Sequence, residues 1–392
     1  MILLLTIFLL SDKTHIVAKR PQIVPSGEIC LRLFLLFCDF FGDVGSCRWR
    51  VLRKCKEDIT NMLFTKMHGC GNDYIYFDCT KEDFPGGSEG EKQAAIKLSD
   101  RHFGIGGDGI ILIKKGSKAD FEMVMYNADG SRSQMCGNGI RCVGKYVYDA
   151  GYTQGLGSEG GREFTVESMG AVKHLKVESG ERGDKVTRLS VDMGSPILEA
   201  QKIPVDVSQM GDVHSANVIN NALSVHGAIV GQKRDGAGFE NSGEAHGARV
   251  IQQPLLVGGI QYKITCVSMG NPHAVVFLDK RPSDFPVCEI GPLFENHEFF
   301  PERTNTEFAF VEDRRTIWMR VWERGTGETL ACGTGTCATV VAAILNGLVD
   351  AGEVITVHLL GGDLAIKWSG REGDSVFMTG PAETVFTGNV EI

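Results

Sequence analysis

Short apolar runs rich in β-branched residues recur along most of the chain, and they predict strands. They occupy residues 109–113, 164–166, 189–191, 263–267, 274–278 and 317–321. Two other apolar stretches have a different pattern. Residues 140–147 carry apolar side chains at helical spacing, and residues 338–345, ATVVAAIL, are apolar all round, as in a buried helix. The pattern therefore predicts an α+β protein with many strands and two central helices.

Each predicted central helix follows the same short motif. The first is Cys136-Gly-Asn-Gly and the second is Cys332-Gly-Thr-Gly, and a further cysteine follows each on the helix itself, Cys142 and Cys337. We expect these two further cysteines to lie in the core. The repeat predicts two pseudo-symmetric domains, each a strand-rich mixed or antiparallel shell around one helix. The active site would then lie in the cleft between them.

The first 61 residues have another character. The chain opens with the apolar run MILLLTIFLL, which is too short to span a bilayer and is not preceded by the basic residues of a secretory signal. We interpret residues 1–61 as an N-terminal appendage: a mispredicted start, a targeting segment or a disordered piece. We expect no membrane association.

Charge and cysteine content narrow the class of protein. The net charge is −9 and there is no basic block, which argues against a nucleic-acid partner. The 12 cysteines are scattered through 392 residues without the spacing of a disulfide scaffold. This distribution favours a reducing compartment, the cytoplasm, where thiols stay free for chemistry.

A cysteine at a helix N-terminus is placed for acid–base work. The unpaired N–H groups there stabilise a thiolate, so we expect the thiol pKa to be lowered. The flanking glycines let the backbone approach a substrate carboxylate. Cys136 and Cys332, on two helices facing one cleft, could serve opposite faces of an α-carbon, one as base and one as acid. Stereochemistry would invert.

Plainer interpretations exist for each signal. A cysteine before glycine is usually a small buried residue, and zinc binding by these four cysteines fits the tight spacing of structural zinc sites poorly. Asn72, Asn127, Asn271 and Asn305 stand in turn-like settings, where turn formation alone would account for them. A solvated pair explains Glu323 and Arg324, and His273 could be a buried structural histidine. Alternatively, all seven could bind a zwitterionic substrate or tune a thiol. The glycine-rich residues 101–109 lack the ending of a phosphate loop.

The motifs resemble diaminopimelate epimerases. The matching stretches run in the family's order from residue 64 to the C-terminus: FTKMHGCGNDY, RHFGIGGDGIILI, YNADGSRSQMCGNGIRC, VSMGNPHAVVF, NTEFAFVE and VWERGTGETLACGTGTCA. Cys-Gly-x-Gly alone also occurs in proline racemases and phenazine-type isomerases. The combination of GND, NPH and ERG-x-GET-x-ACGTG is specific to the diaminopimelate enzymes.

The resemblance implies interconversion of LL- and meso-diaminopimelate, in lysine and peptidoglycan precursor synthesis, without pyridoxal phosphate or metal. It assigns Cys136 and Cys332 as the catalytic pair. His273 and Glu323 would tune the thiols. The residues it assigns to substrate binding are Asn72, Asn127, Gly137, Asn138, Asn271, Asn305, Glu323, Arg324, Gly333 and Thr334.

The resemblance also implies a domain plan. Residues 62–182 would form the first epimerase domain, completed by a C-terminal strand within 380–392, and residues 183–379 the second. A homodimer is expected. Three departures from the family stand out. Gly109 replaces a glutamine that many members carry, and the motif usually written GLGNDF is here GCGNDY, with Cys70 and Tyr74. Residues 206–249 are interpreted as a surface insertion.

Two other functions remain open. One is a related isomerase or racemase acting on a different small acid, which would need no recognition of a distal amino-acid group. The other is a non-catalytic binding or thiol-redox protein on the same fold. Such a protein would be expected to have lost one of the two helix-capping cysteines, and both are present here.

Overall fold

The computed structural model describes residues 60–133, 136–157, 160–178, 186–209 and 248–392. Asn61–Val390 form one compact unit, and all elements below lie in it apart from the last residue of the final strand. Nearly all of the predicted N-terminal appendage, and most of the predicted insertion at 206–249, lie outside the described residues.

Eighteen strands of the described residues join into one continuous sheet. In chain order they are β1 Asn61–Gly69, β2 Asn72–Cys79, β3 Gly109–Lys115, β4 Phe121–Asn127, β5 Arg132–Ser133, β6 Glu163–Ser168, β7 Ala171–Val177, β8 Arg188–Asp192, β9 Gln253–Val257, β10 Ile260–Ser268, β11 Pro272–Phe277, β12 Asn305–Asp313, β13 Thr316–Glu323, β14 Gly327–Thr329, β15 Val354–Leu359, β16 Gly362–Lys367, β17 Phe377–Pro381 and β18 Glu383–Glu391. Every strand predicted from the sequence lies within one of these, apart from residue 278, one position past β11.

Four α-helices of the described residues accompany the sheet: α1 Gly87–Ser99, α2 Gly137–Asp149, α3 Val287–Glu295 and α4 Gly333–Leu345. The helices α2 and α4 begin directly after the two repeated motifs, as predicted. Cys142 and Cys337 are fully buried in a core cluster that the two helices share, which confirms their structural role. The helix α1 packs on β3 and β4, and α3 packs on β12 and β13.

The sheet consists of two halves with the same pairing scheme. In the first, β1 and β2 are antiparallel, β2 and β3 parallel, β3 and β4 antiparallel, β4 and β6 parallel, and β6 to β8 antiparallel. In the second, β10, β11, β12, β13, β15, β16 and β17 repeat that sequence of senses. The halves join where β8 pairs with β17. The predicted fold class, two pseudo-symmetric α+β domains, is confirmed.

The last strand, β18, follows the second half in the sequence but joins the first half of the sheet. β18 pairs with β1, while β9 occupies the equivalent place beside β10. Each half therefore carries eight paired strands in the same order, apart from the short β5 and β14. Because α2 follows β5 and α4 follows β14, the symmetry brings the two helix N-termini to equivalent positions.

Candidate active site

The two repeated cysteines cap the two central helices. Cys136 has extended backbone angles (φ −128°, ψ 113°), and its sulfur accepts a hydrogen bond from the Gly139 N–H at 3.2 Å. Cys332 caps α4 with nearly the same angles (φ −114°, ψ 112°), and its sulfur lies 3.5 Å from Oγ1 of Thr334. Side-chain capping is a normal role for a small polar residue at this position. The Cys136 thiol is thus held where the N–H groups of α2 point, whereas the Cys332 side chain occupies the same position on α4 without a capping hydrogen bond.

The two helix N-termini meet at their first glycines. A Cβ built on Gly137 would lie 3.7 Å from Cα of Gly333, and one built on Gly333 would lie 3.6 Å from Cα of Gly137. The side chain of Met378 packs against both, within 3.1 Å of each built Cβ. Only glycine allows this approach without displacing Met378. Two sets of unpaired N–H groups therefore converge, which suits a carboxylate.

A cleft of about 1780 Å³ opens onto both cysteines. Its volume exceeds the 300–1,000 Å³ typical of small-molecule pockets, so it has room for a substrate with two polar ends. Most of the predicted site residues line it: Asn72, Asn127, Cys136, Gly137, Asn138, Asn271, Glu323, Cys332, Gly333 and Thr334. They come from both halves, which places the candidate site between them, as predicted.

Three predicted residues are not among those that line the cleft. His273 is fully buried. Asn305 donates from Nδ2 to the carbonyl of Pro272 at 2.7 Å and accepts the Arg324 N–H at 2.9 Å. The Arg324 guanidinium donates to the carbonyl of Glu302. In this structure these side chains bond to other protein groups, and their direct contact with a substrate stays a prediction.

Cys136 lies among neutral partners. Its thiol donates to Oδ1 of Asn72 at 3.0 Å. Asn127, at the end of β4, donates to Ser131 across its own turn. Burial raises the pKa of the Cys136 thiol, and the N–H groups of Gly139 and Asn138 act against that rise. The predicted lowering of the pKa at a helix N-terminus is therefore wrong in direction here, because the loss of water outweighs the helix field.

Cys332 lies among charged partners. Glu323 ends β13, as Asn127 ends β4, and its carboxylate accepts from the Thr329 hydroxyl and from the Cys332 thiol. Burial raises the pKa of Cys332 well above its ordinary value, and the negative charges of Glu323 and Glu307 raise it further. The predicted lowering of this pKa is wrong too. Burial likewise raises the pKa of Glu323.

Glu307 was not predicted from the sequence. It belongs to the second half-site, the group of residues around Cys332, as opposed to the first half-site around Cys136. It is fully buried in β12, and its Oε1 lies 2.7 Å from Nδ1 of His273. A carboxylate only accepts, so Nδ1 donates to it, and Nε2 lies 3.0 Å from the Asn271 carboxamide. A single acidic residue inside the strand-like run NTEFAF was the available signal.

Two more residues that were not predicted from the sequence, Arg141 and Asp108, support the first half-site. Arg141 is fully buried on α2 and donates to the carbonyl of Gly137 at 3.1 Å and to Oδ1 of Asn138 at 2.8 Å. The Asn138 amide in turn donates to the carbonyl of Ala331, just before Cys332. Asp108 holds Asn72 through a 2.7 Å hydrogen bond. The contacts of Asn138 with Ala331 and of Asn72 with Asp108 join positions 193 and 36 apart in the sequence.

The glycine that departs from the family pattern has a structural reason. A Cβ at Gly109 would clash with the carbonyl oxygen of Tyr126 and would lie 3.0 Å from Cε1 of Tyr74. Tyr74 is itself a departure from the usual phenylalanine, and it lines the cleft. The tyrosine ring therefore fills part of the space beside residue 109.

Within the described residues, no cluster of three His, Cys, Asp or Glu side chains could hold a metal ion. The four helices described here include none that is long and apolar enough to cross a membrane.

Comparison with known proteins agrees with this geometry. The model of the diaminopimelate epimerase family matches residues 64–198 and 265–385. Diaminopimelate epimerases from Agathobacter rectalis and Leptospira biflexa are each 46% identical, over 84% of this chain and 100% and 99% of their own lengths. That of Methanococcus maripaludis is 44% identical over 84% of this chain and all of its own.

Solved structures with the same fold are more distant in sequence. A Bacillus anthracis phenazine biosynthesis protein of the PhzF family has a TM-score of 0.55 at 13% identity, covering 85% of this chain and 100% of its own. A hydroxyproline epimerase from Agrobacterium vitis has a TM-score of 0.54 at 13% identity, covering 85% and 92%. The family match, the full-length relatives and the shared fold together place this chain in the diaminopimelate epimerase family.

Proposed function

We propose that this protein interconverts LL- and meso-diaminopimelate by transferring a proton between two cysteines, without a cofactor or metal. The observation that carries the proposal is the pair of thiols, Cys136 and Cys332, each capping one of two abutting helices on one cleft. The relatives at 44–46% identity are named for this reaction. Its place would be the synthesis of lysine and peptidoglycan precursors.

The substrate α-carboxylate would bind where the helices meet. Gly137 and Asn138 on α2, with Gly333 and Thr334 on α4, line the cleft there. Helix N-terminal N–H groups bind anions and carry partial positive charge. That charge also stabilises the extra electron density that the carboxylate receives when the α-proton leaves.

The proton transfer inverts the α-carbon. One cysteine, as thiolate, takes the α-proton and becomes a thiol, and the electron pair of the broken C–H bond stays on the substrate. The opposite thiol then gives its proton to the other face and becomes a thiolate. The reverse reaction uses the same groups in exchanged roles. Positioned acid–base groups typically contribute 10²–10⁴-fold, and orientation supplies more.

Both thiols must lose a proton at some point of this cycle, although burial raises both pKa values. Glu323 interacts with the Cys332 thiol, and we propose that its carboxylate takes the proton of that thiol. His273 and Glu323 would thus tune the thiols. His273 contacts Glu307 and Asn271, so it would act on a thiol indirectly.

The remaining polar residues would recognise the zwitterionic ends of the substrate. Asn72, Asn127, Asn271 and Glu323 already line the cleft. Asn305 and Arg324 would join if the wall rearranges when substrate binds. The guanidinium would then form the bidentate carboxylate contact typical of arginine.

Assembly, compartment and domain limits complete the proposal. We propose a division into domains at residues 62–182 and 183–379, with β18 completing the first domain because it pairs with β1. A cytoplasmic homodimer is proposed from the family resemblance. Sedimentation velocity on the full chain would yield the mass of a dimer, and a monomer at micromolar concentration would contradict the dimer.

A second candidate substrate is a different small acid. The hydroxyproline epimerase with the same fold motivates this alternative. The polar groups lining both halves of a cleft of about 1780 Å³ favour a longer substrate with a charged group at each end.

Chiral chromatography distinguishes the substrates. LL-diaminopimelate, L-lysine, which lacks the distal carboxylate, and trans-4-hydroxy-L-proline would each be incubated with the enzyme without added cofactor. We expect meso-diaminopimelate to form at least 100-fold faster than either other product. Failure to convert diaminopimelate, or faster inversion of hydroxyproline, would rule out the proposed substrate.

A further inference from the structure

A chain of hydrogen bonds runs from the surface of the cleft to the Cys136 sulfur. The Arg101 guanidinium donates to Oδ1 of Asp108 at 2.8 Å. The other oxygen, Oδ2, accepts from Nδ2 of Asn72 at 2.7 Å and from the Asp73 N–H at 3.2 Å. Oδ1 of Asn72 then accepts from the Cys136 thiol at 3.0 Å.

The carboxylate fixes which way the amide of Asn72 faces. An ionised carboxylate can only accept, so the NH₂ group of Asn72 must point at Asp108. The Arg101 guanidinium pairs with the other oxygen of this carboxylate. The amide oxygen is therefore left facing the sulfur. That arrangement satisfies a thiol, which donates, and opposes a thiolate, which is an acceptor like the oxygen it would face.

We propose that Asp108 is a positioning residue that keeps Cys136 protonated by fixing the Asn72 carboxamide with its oxygen towards the sulfur. The inference rests on the proposed function only in that Cys136 transfers the proton. Cys136 would keep its proton until a substrate group binds Asn72, which lines the cleft, and frees the amide to turn.

The other groups around Cys136 do not provide this control. The N–H groups of Gly139 and Asn138 favour a thiolate, and burial disfavours it. The titratable or charged groups that interact with Cys136 from the surrounding elements are Tyr74 and Tyr76 on β2, Arg141 and Cys142 on α2, and Glu323 on β13. None of these orients an acceptor onto the sulfur as Asn72 does.

Among the described residues of the second half-site, no carboxylate fixes an amide oxygen towards the Cys332 sulfur in this way. Asn271 precedes β11 as Asn72 begins β2, but its Oδ1 faces Nε2 of His273. Cys332 instead faces Glu323 and Thr334. The effect of Asp108 should therefore be confined to one thiol, which makes it testable.

The test is the pH dependence of alkylation at each cysteine. Wild type, Asp108→Ala, Asn72→Ala and the double variant would be treated with iodoacetamide between pH 6 and 11. Modified Cys136 and Cys332 peptides would be quantified separately by mass spectrometry. In Asp108→Ala, the amide can turn its NH₂ to the sulfur. We expect the Cys136 midpoint to fall by about one pH unit, roughly a tenfold faster reaction below the midpoint, with Cys332 unmoved.

The double variant separates the proposed mechanism from loss of charge. If Asn72 mediates the effect, Asp108→Ala should shift the midpoint much less when Asn72 is already alanine. An equal shift in both backgrounds would mean that the Asp108 charge acts directly, and would overturn the proposal. An unmoved Cys136 midpoint, or equal shifts at both cysteines, would also overturn it.

The alkylation test depends neither on the folding of one variant nor on turnover of the substrate. If Asp108→Ala does not fold by circular dichroism, Asp108→Asn keeps the size and still releases the amide of Asn72. It should lower the midpoint of Cys136 alkylation by a smaller amount, and an unchanged midpoint would refute the positioning role of Asp108. Alkylation requires no turnover, so an error in the proposed substrate would appear only in the epimerisation assay.

Discussion

The two thiols occupy equivalent positions but unlike surroundings. Asn127 and Glu323 end the equivalent strands β4 and β13, and each lies on the cleft beside one cysteine. The buried pair of Glu307 and His273 lies against the start of α4. Burial raises the pKa of both thiols. The negative charges of Glu323 and Glu307 raise that of Cys332 further, whereas the N–H groups of Gly139 and Asn138 oppose the rise at Cys136. The two proton transfers therefore begin from different environments.

Replacing Glu323 tests that difference. In Glu323→Gln, the amide can still accept from Thr329, but the negative charge that raises the pKa of Cys332 is gone. We expect the midpoint of Cys332 alkylation to fall by about one pH unit and that of Cys136 to move less. Because the carboxylate also serves the thiol and the substrate, kcat/KM should fall on the order of 10²-fold.

Glu328 provides the matched control for Glu323. It also lines the cleft, but it pairs with Arg320. Glu328→Gln should leave the Cys332 midpoint near that of wild type. An equal shift in both variants would show that any cleft carboxylate acts alike, against the specific role of Glu323.

Residue types could be predicted better than residue environments. The cysteines, glycines and asparagines of the cleft were found because each sits in a short local motif. Asp108 and Glu307 were missed because their roles depend on partners 36 and 34 positions away. The direction of the thiol pKa shifts was wrong for the same reason: a helix N-terminus is visible in the sequence, whereas burial requires the packed fold.

At the scale of elements, the repeated Cys-Gly-x-Gly motif predicted the two central helices and the pseudo-symmetry. Strands with continuous apolar runs, such as β3 and β11, were also predicted. The C-terminal strand β18 was expected only from the resemblance, because its side chains are mostly exposed and polar positions interrupt the pattern. The helices α1 and α3 were not predicted, since neither follows a recognised motif.

Equivalent glycines in α2 and α4 offer a test of the helix supports. A Cβ on Gly335 would lie 2.5 Å from Oε1 of Glu307, which the hydrogen bond to His273 holds in place. A Cβ on Gly139 would lie 2.8 Å from Cδ1 of Ile111, the flexible end of a side chain. We expect Gly335→Ala to destabilise the fold by about 1–3 kcal/mol, with activity reduced, and Gly139→Ala by about 1 kcal/mol or less.

Urea denaturation and steady-state kinetics on both variants measure these effects. Both substitutions gain the same helix propensity, so the difference between them reports on Glu307 and Ile111. Equal losses of stability, or a larger loss for Gly139→Ala, would contradict the support that we assign to Glu307.

The whole molecule joins two copies of one pairing scheme through β8 and β17. Its fold class and family could be predicted from the order of the motifs along the chain. Its strand order could not, because the crossing of β18 to β1 and the place of β9 beside β10 involve partners far apart in sequence. The shared core contains both Cys142 and Cys337.

These two core thiols contribute to the pH dependence of the stability of the whole molecule. Burial raises the pKa of Cys142 and of Cys337 to about 12, from an ordinary 9.0. Between pH 9 and 12 the unfolded chain loses these protons and the folded chain keeps them. Stability is therefore fully present below pH 9 and falls as pH rises, by about 1.4 kcal/mol per pH unit for each thiol.

Cys142→Ala with Cys337→Ala removes that contribution. The free energy of unfolding, measured in urea from pH 8 to 11, should decline less steeply in the double variant than in wild type, although the variant is less stable at pH 8. An unchanged slope would show that neither thiol titrates as described.

The central claim is a proton transfer between two opposed thiols. Its most direct measurement is the epimerisation of LL-diaminopimelate in deuterated water by wild type, Cys136→Ala and Cys332→Ala, without added cofactor. The account predicts that wild type forms meso product with deuterium at one α-carbon and that neither variant epimerises. Normal epimerisation by either variant, or meso product without solvent deuterium, would contradict it.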